Sequence, residues 1–334
     1  MKLAEKMERG PIFIGGLDRC GKTMLRAFLV SHPHISIPAI GSNMWTYFYG
    51  KYGALDQPEH FEKCLTALLR YKHVRFLKPD PLRIRCEFQQ GPATYARLFA
   101  LIQQHHAERM GKPRWGDQSG LIERYADLIL RAYPDARMIH MMRDPRDRYE
   151  ASLTRWTEGK ARAGGATARW LYSARLARRN AAHYPDRYLI VRYEELVSSP
   201  DETLRKVCSF LHEDFDSAML TLCGADGYRA KLLQNARAVG AASLINTAYI
   251  GRFRNHVAPG EIAFIQTFAA AEMRAFGYTP DPLLLSPAEH LRFWLIDRPL
   301  NLVRFMAWYG VELAQQNFPS LVGRMPARNK WLSS

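Results

Sequence analysis

Pro11-Ile12-Phe13-Ile14-Gly15-Gly16-Leu17-Asp18-Arg19-Cys20-Gly21-Lys22-Thr23 is the stretch of the chain that decides the fold. Its short apolar start is typical of a buried parallel strand, which the glycines end. Met24, Leu25, Phe28 and Leu29 then recur at helical spacing. Glycines allow close backbone approach, and the free N–H groups of a helix start point at an anion. The stretch therefore predicts an α/β fold with a phosphate-bearing ligand.

Residues 16–23 also spell the nucleotide-binding pattern G-x-x-x-x-G-K-[ST]. A kinase or NTPase would need an acidic residue for magnesium at the tip of a second strand. The second predicted strand, over residues 137–142, ends in Arg143, which favours an anion over a metal. A cysteine phosphatase is suggested by the C-x5-R spacing of Cys20 and Arg26, although Arg26 falls inside the predicted helix. A purely structural turn is the remaining alternative.

The chain resembles sulfotransferases that use 3′-phosphoadenosine 5′-phosphosulfate (PAPS), of the bacterial type. Five segments appear in the family's order: residues 11–33, 114–120, 133–147, 192–211 and 250–278. They are similar to the 5′-phosphosulfate loop, the "W-G-[DE]-K-T-P" turn, the 3′-phosphate segment, the "RYEDLV" element and the "GRWRN" segment. The resemblance implies a P-loop-type parallel sheet flanked by helices, with PAPS as co-substrate and no metal.

The resemblance also implies roles for individual residues. The cofactor-binding set comprises Gly16, Arg19, Cys20, Gly21, Lys22, Thr23, Arg143, Ser152, Arg252, Phe253 and Arg254. Arg19 and Lys22 are the cations expected at the transferring group, and Arg143 is expected at the 3′-phosphate. Open parallel sheets bind ligands at the carboxyl ends of their strands, where both phosphate segments fall.

Two departures from the family pattern concern the cofactor. Asp18 lies beside an anion site, which is unfavourable unless a cation pairs with it. The family serine that joins the 3′-phosphate arginine corresponds to Ala151, and Ser152 follows one residue later, about 100° around a helix. Either Ser152 serves through a local shift or the contact is absent.

The third departure concerns catalysis. Bacterial members carry a glutamate soon after the H-P-x-I segment that looks like the general base, whereas residues 34–44 contain no carboxylate. A base must lie within hydrogen-bond reach of the acceptor hydroxyl. Asp117 is the first candidate and His34 the second. A turn-capping aspartate and a strand-end histidine are equally good descriptions of these two residues.

Charge and cysteine content set further bounds. The 47 Lys and Arg residues exceed the 32 Asp and Glu residues, giving a net charge of +15 that suits an anionic cofactor. No nucleic-acid-binding motif is recognised, so nucleic acid is not an expected partner. The five cysteines have no paired spacing, and the charged N-terminus is not typical of a signal peptide. A cytoplasmic protein is expected.

The predicted organisation is a sulfotransferase-like α/β domain over residues 1–284 and an amphipathic helical tail over residues 285–334. Residues 42–112 interrupt the alternation of strands and helices that is typical of a parallel sheet, and they are predicted to form a helical insert. Aromatic residues cluster there and could line an acceptor pocket, so the insert is expected on the acceptor side. The tail is expected to lie on a membrane, to pair with a second subunit in a homodimer, or to pack back on the domain.

Taken together, the sequence predicts transfer of a sulfuryl group from PAPS to a hydroxyl of a sugar or lipid-linked glycan. The alternatives are a catalytically impaired protein that binds PAPS or a nucleotide, and a P-loop kinase or NTPase.

Overall fold

A five-stranded parallel sheet forms the centre of the protein. The computed structural model describes residues 9–153, 162–238, 240, 243–283 and 285–317. The strands are β1 (Ile12–Gly15), β2 (Ile35–Ser36), β3 (Arg114–Gln118), β4 (Arg137–Met142) and β5 (Tyr188–Arg192). Their order is β2-β3-β1-β4-β5, and all neighbouring strands are parallel. Strand β1 therefore lies between β3 and β4, which both come later in the chain. This strand order opens a crevice at the carboxyl ends of the strands.

Helices occupy most of the remaining chain. Before β4 they are α1 (Lys22–Ser31), α2 (Met44–Tyr47), α3 (Pro58–Arg70), α4 (Lys72–Arg75), α5 (Pro81–Phe88), α6 (Tyr95–Arg109), a 3₁₀ turn (Ile122–Tyr125) and α7 (Ala126–Ala132). After β4 they are α8 (Pro145–Leu153), α9 (Ala163–His183), α10 (Tyr193–Ser198), α11 (Pro200–Leu211), α12 (Ala218–Thr221), α13 (Asp226–Ala238), α14 (Phe253–His256), α15 (Pro259–Ala275), α16 (Pro287–Arg292), a π-helix (Phe293–Asp297) and α17 (Arg298–Asn317).

The two faces of the sheet bury separate hydrophobic cores, because side chains alternate along each strand. Ile12 and Ile14 of β1 pack on the side of α1, α9, α10 and α11. Phe13 points to the opposite side, where α2 to α7 supply the core. The predicted α/β fold with a parallel sheet between helical layers is confirmed, and the predicted strand over residues 137–142 is β4.

The C-terminal helices pack back on the domain along one side. Gly164 of α9 lies so close to α17 that a Cβ atom there would be 1.9 Å from the Asn301 carbonyl oxygen. Arg124 forms an ion pair with Glu312 at 2.5 Å. None of the described helices is long and apolar enough to cross a membrane. The parts of the predicted domain and tail at residues 1–8, 154–161, 239, 241–242, 284 and 318–334 lie outside the described residues.

Candidate functional site

The loop after β1 has the backbone of an anion-binding turn. Gly16 has φ 103°, and a Cβ atom there would be 2.3 Å from the Met141 carbonyl oxygen. Gly21 has φ 93° and ends the loop where α1 begins. The Met24 N–H donates to the Gly21 carbonyl oxygen at 3.0 Å, and no described side chain caps the first turn of α1, so the N–H groups of Lys22 and Thr23 stay available to a ligand. Gly21, Lys22 and Thr23 line a cavity of about 820 Å³.

Lys22 is held across this loop. Its Nζ donates a hydrogen bond to the carbonyl oxygen of Gly16. Burial lowers the pKa of Lys22, while the buried Glu123 carboxylate opposes that shift. Arg19 also lines the cavity, with its backbone in the left-handed region at φ 67°. The two cations predicted to act on the transferring group therefore line the same cavity.

Asp18 has the cations that an acidic residue beside an anion site requires. Its Oδ1 lies 2.9 Å from Arg148 Nη2 and 3.3 Å from Arg169 Nη2. Burial alone would raise the pKa of Asp18, but Arg148, Arg169 and Lys22 outweigh burial and lower it to about 2. Asp18 is therefore ionised and paired with two arginines. This pairing explains how the chain tolerates an acidic residue beside the anion site.

Arg143 stands on the wall formed by the tip of β4. Its Nη1 donates to the Arg19 carbonyl oxygen at 3.1 Å, and its Nη2 donates to the Tyr249 carbonyl oxygen at 2.8 Å. The guanidinium carbon lies 4.4 Å from the centre of the Tyr193 ring. Its buried Nε has no hydrogen-bond partner among the described residues. Arg143 lines the same cavity as Lys22, so the structure brings the two predicted phosphate-binding segments together.

The segment over residues 250–255 is only partly at the cavity. Arg252 lines it, with Nη2 3.3 Å from Glu150 Oε1. Phe253 is buried in a hydrophobic cluster, with the Arg146 guanidinium 4.2 Å from its ring centre. Arg254 is paired with Asp281 at 2.7 Å and does not line the cavity. Of the three residues predicted from this segment, only Arg252 lines the cavity shared by Lys22 and Arg143, whereas Phe253 and Arg254 line a separate cavity of about 760 Å³.

Two predicted cofactor residues point away from the cavity. The Ser152 hydroxyl donates to the Tyr149 carbonyl oxygen of its own helix at 2.7 Å, and Ala151 forms the cavity wall instead. The rotation of about 100° per residue explains this, because consecutive positions cannot face the same side. Cys20 is enclosed, and burial raises the pKa of its thiol to about 11. Both residues are buried, and neither lines the cavity.

Asp117 supports a loop and does not reach the cavity. It is only 2% exposed, and its carboxylate accepts hydrogen bonds from the Ser42 N–H at 3.0 Å and from the Ser42 hydroxyl. Its neighbour Gln118 donates from Nε2 to the Ala39 carbonyl oxygen at 3.0 Å, and Ser119 Oγ accepts from Asn43 N–H at 3.2 Å. Three successive residues at the end of β3 thus fasten the loop over residues 38–43.

His34 lies at the amino end of β2, whereas the cavity lies at the carboxyl ends of the strands. It directly precedes β2, and its carbonyl oxygen accepts from the N–H of Arg114, the first residue of β3. Its Nδ1 is 3.1 Å from Glu213 Oε2, and His32 lies beside it. Arg9 and Arg114 pair with the same Glu213 carboxylate, which disfavours a cation there. The structure does not bring His34 together with the cavity.

A buried polar network behind the loop has no counterpart in the predicted site. Glu123 accepts from the Gly16 N–H at 3.0 Å and from the Ser173 hydroxyl at 2.6 Å. His140 in β4 lies 3.2 Å from that hydroxyl and 2.7 Å from the Tyr188 hydroxyl. The network fixes Gly16 from behind. The sequence signal that could have revealed this network is His140, a histidine within a mostly apolar strand.

A second cavity of about 1000 Å³ opens along the helical insert. Aromatic residues on its wall are Tyr47, Phe48, Tyr52 and Tyr71. We call it the aromatic groove. Asn43 and His73 line both this groove and the cavity beside the loop after β1, so the two spaces meet at these residues. Sequence reasoning missed His73, because no motif surrounds it and only the fold brings it to the loop.

Comparisons with known proteins agree with this arrangement. Residues 11–217 match the profile of the sulfotransferase family. A protein-tyrosine sulfotransferase of Drosophila melanogaster is 24% identical over 225 residues, which are 63% of this chain and 39% of the fly protein. The chain thus spans well under half the length of this relative.

Two solved structures are similar to the chain. The sulfotransferase domain of the olefin synthase from Synechococcus PCC 7002 has a TM-score of 0.54 at 23% identity, covering 80% of this chain and 94% of that domain. The sulfotransferase domain from the curacin biosynthetic pathway has a TM-score of 0.47 at 18% identity, covering 81% and 99%. The Synechococcus domain shares the fold described above.

Proposed function

The chain belongs to the sulfotransferase family, and from this premise we propose that it transfers a sulfuryl group from PAPS to an acceptor hydroxyl. One observation carries the proposal: the loop after β1 and Arg143 after β4 line a single cavity. PAPS carries two phosphate ends about one adenosine apart, so a donor site needs two separate anion-binding groups facing one space. The cavity offers both.

The loop and α1 are proposed to hold the 5′-phosphosulfate. Backbone N–H groups at a helix start and the Lys22 ammonium stabilise the charge that develops on the bridging oxygen as the S–O bond breaks. Arg19 lines the same cavity and is the second cation proposed to act on the transferring group. In-line transfer of this kind depends on positioning and charge stabilisation, and it requires no covalent intermediate with the protein.

Arg143 is proposed to bind the 3′-phosphate. Its guanidinium rests on two backbone carbonyl oxygens, and a phosphate would form stronger, charge-assisted hydrogen bonds with it. Arg252, which lines the same cavity, would contribute a second cation. Asp144, which follows Arg143, is bound by Arg146 through Nη2 at 2.7 Å. That pairing leaves this carboxylate poorly suited to magnesium, which weakens the kinase or NTPase alternative.

We propose that the acceptor is a sugar or lipid-linked glycan. The aromatic groove supports this class, because aromatic faces pack against the C–H faces of sugars and against hydrocarbon chains. A protein that binds PAPS without transferring its sulfuryl group is the alternative, and it is motivated by the absence of a carboxylate in residues 34–44.

We also propose where the enzyme acts in the cell. We expect a cytoplasmic bacterial protein whose tail touches a membrane surface. Leu295, Val303 and Met306 of the tail are 67%, 66% and 60% exposed. A net charge of +15 favours an anionic membrane over a second copy of the chain. Flotation with phosphatidylglycerol vesicles, and no flotation with phosphatidylcholine, is the expected result; a homodimer in sedimentation would instead favour pairing.

Thermal unfolding with two ligands tests the donor site. Adenosine 3′,5′-bisphosphate in the presence of EDTA is expected to raise the Tm, since a ligand at 100 times its Kd stabilises the folded state by about 2.7 kcal/mol. Arg143→Ala should lose most of the shift, whereas Arg205→Ala, an exposed arginine paired with Asp201, should keep it. A shift with ATP and magnesium alone would favour the NTPase alternative.

A further inference from the structure

We propose that His73 is the general base of the reaction and that the aromatic groove holds the acceptor, an inference that rests on the function proposed above. A sulfotransferase must bring an acceptor hydroxyl, a base and the phosphosulfate to one point. His73 and Asn43 line both the donor cavity and the groove, so the imidazole stands where the two spaces meet.

The hydrogen bonds of His73 define which nitrogen can accept a proton. Nδ1 lies 2.8 Å from the carbonyl oxygen of Gly41. Because a carbonyl oxygen can only accept, Nδ1 carries the hydrogen of the neutral imidazole and Nε2 carries the lone pair. Asn43 Nδ2 also lies 3.1 Å from Nδ1, but its two hydrogens have other acceptors, the Gly41 carbonyl oxygen and the Tyr71 hydroxyl, each at 3.3 Å. Nε2 has no hydrogen-bond partner among the described residues. The arrangement leaves one basic nitrogen for an acceptor.

The imidazole is held in place from two sides. Its ring stacks on Tyr71, with ring centres 4.9 Å apart and planes 29° apart. The carbonyl that it contacts belongs to the loop over residues 38–43, which Asp117, Gln118 and Ser119 fasten to β3. Gly41 itself packs against β3 so closely that a Cβ atom would be 1.8 Å from the Gln118 carbonyl oxygen. Asp117 thus acts as a positioning residue for His73.

Carboxylates on the donor cavity wall are already engaged. Asp18 is paired with Arg148 and Arg169, and Glu150 is paired with Arg252. A neutral imidazole is suited to a cavity that receives a polyanionic donor, because it adds no negative charge before the reaction. The imidazolium that forms afterwards lies close to an anionic product.

The chemical step follows from this placement. The acceptor oxygen forms a bond to sulfur while the bond between sulfur and the 5′-phosphate oxygen breaks. Adenosine 3′,5′-bisphosphate leaves with that electron pair, and the acceptor's proton moves to Nε2 of His73. The groove favours an acceptor whose hydroxyl sits on a sugar ring with an apolar extension, since Tyr47, which is 51% exposed, offers an aromatic face to the C–H groups of such a ring.

Turnover of two probe acceptors tests the assignment. Octyl β-glucoside, below its micelle concentration, has a weakly acidic hydroxyl that needs a base; 4-nitrophenol is already largely ionised at mildly alkaline pH. His73→Ala is expected to lower turnover of octyl β-glucoside by about 100-fold or more and turnover of 4-nitrophenol by less than about tenfold. Affinity for the bisphosphate should stay unchanged in this variant.

Two further variants separate catalysis from structure. His73→Asn keeps a donor for the Gly41 carbonyl and removes the base, so it should be as impaired as His73→Ala. His60→Ala is the matched control, because His60 Nδ1 also contacts a backbone carbonyl in the insert, that of Ala54, but lines neither cavity. It should behave like the unaltered protein.

Several results would overturn the inference. Full activity in His73→Asn, or an equal loss with both acceptors, would leave His73 with a structural role only. A protein that binds the bisphosphate but sulfates neither probe would remove the groove as the acceptor site. Failure to bind the bisphosphate at all would instead count against the proposed function.

Discussion

Replacing Asp117 with asparagine should stabilise the protein at neutral pH and leave its acid stability unchanged. Burial raises the pKa of this carboxyl from its ordinary value of 3.8 to about 6, although hydrogen bonds from Ser42 and Ser119 oppose the shift. A shift of about two units corresponds to roughly 3 kcal/mol, at 1.36 kcal/mol per unit. The substitution removes a buried charge and keeps an oxygen for the Ser42 N–H.

The sign of the effect follows from linkage. Because the folded state holds this proton more tightly than the unfolded state does, the stabilisation is complete below about pH 4. It is lost as the pH rises through about 6, where the buried carboxyl must ionise. Relative to the unaltered protein, Asp117→Asn should therefore gain up to about 3 kcal/mol in unfolding free energy between about pH 4 and pH 7.

Urea denaturation followed by tryptophan fluorescence at several pH values measures this difference. Parallel pH profiles for the two proteins would refute the reasoning, because they would mean that Asp117 titrates normally. Turnover gives a second readout. A general base is worth about 10²–10⁴ in rate, whereas a loop support that keeps its hydrogen bond should cost less than about tenfold. A hundredfold loss would restore Asp117 as the base.

Three other changes probe separate parts of the structure. Asp18→Asn leaves Arg148 and Arg169 without their carboxylate and should lower the unfolding free energy by about 1–3 kcal/mol at neutral pH. Since the pKa of Asp18 is lowered to about 2, this loss of stability should shrink in strong acid. A loss that is the same at every pH would contradict the pairing. Iodoacetamide at neutral pH should label exposed Cys86 and Cys223 and spare Cys20 until the protein unfolds, as peptide mass spectrometry can check. Gly164→Val should displace α17 and lower the Tm, with a loss of about 1–3 kcal/mol from overpacking; an unchanged Tm would mean that the tail is not docked there.

Local signals explain what the sequence could predict. The strand, glycine loop and helix at residues 11–31 are contiguous, so propensity and periodicity were sufficient to place them. Arg143 was found because it ends a clear apolar strand. The carboxyl ends of parallel strands share one edge, and this rule joined two segments that are more than 100 residues apart.

The remaining parts of the site depend on long-range packing. His73 lies in a four-residue helix whose position relative to β3 is set by the loop over residues 38–43, and no local pattern contains that information. Ser152 and Phe253 were placed by motif similarity, which does not specify which face of a helix or turn looks into the cavity. Asp117 was predicted at a turn, yet it is the buried fourth residue of β3.

Sulfuryl exchange between 4-nitrophenyl sulfate and adenosine 3′,5′-bisphosphate tests the central claim most directly, because it runs the proposed transfer in reverse without knowledge of the natural acceptor. The account predicts that 4-nitrophenol is released only when both the protein and the bisphosphate are present, that release persists in EDTA, and that Arg143→Ala weakens the dependence on bisphosphate by about tenfold or more. No release from a protein saturated with the bisphosphate would contradict the account and leave a binding protein in its place.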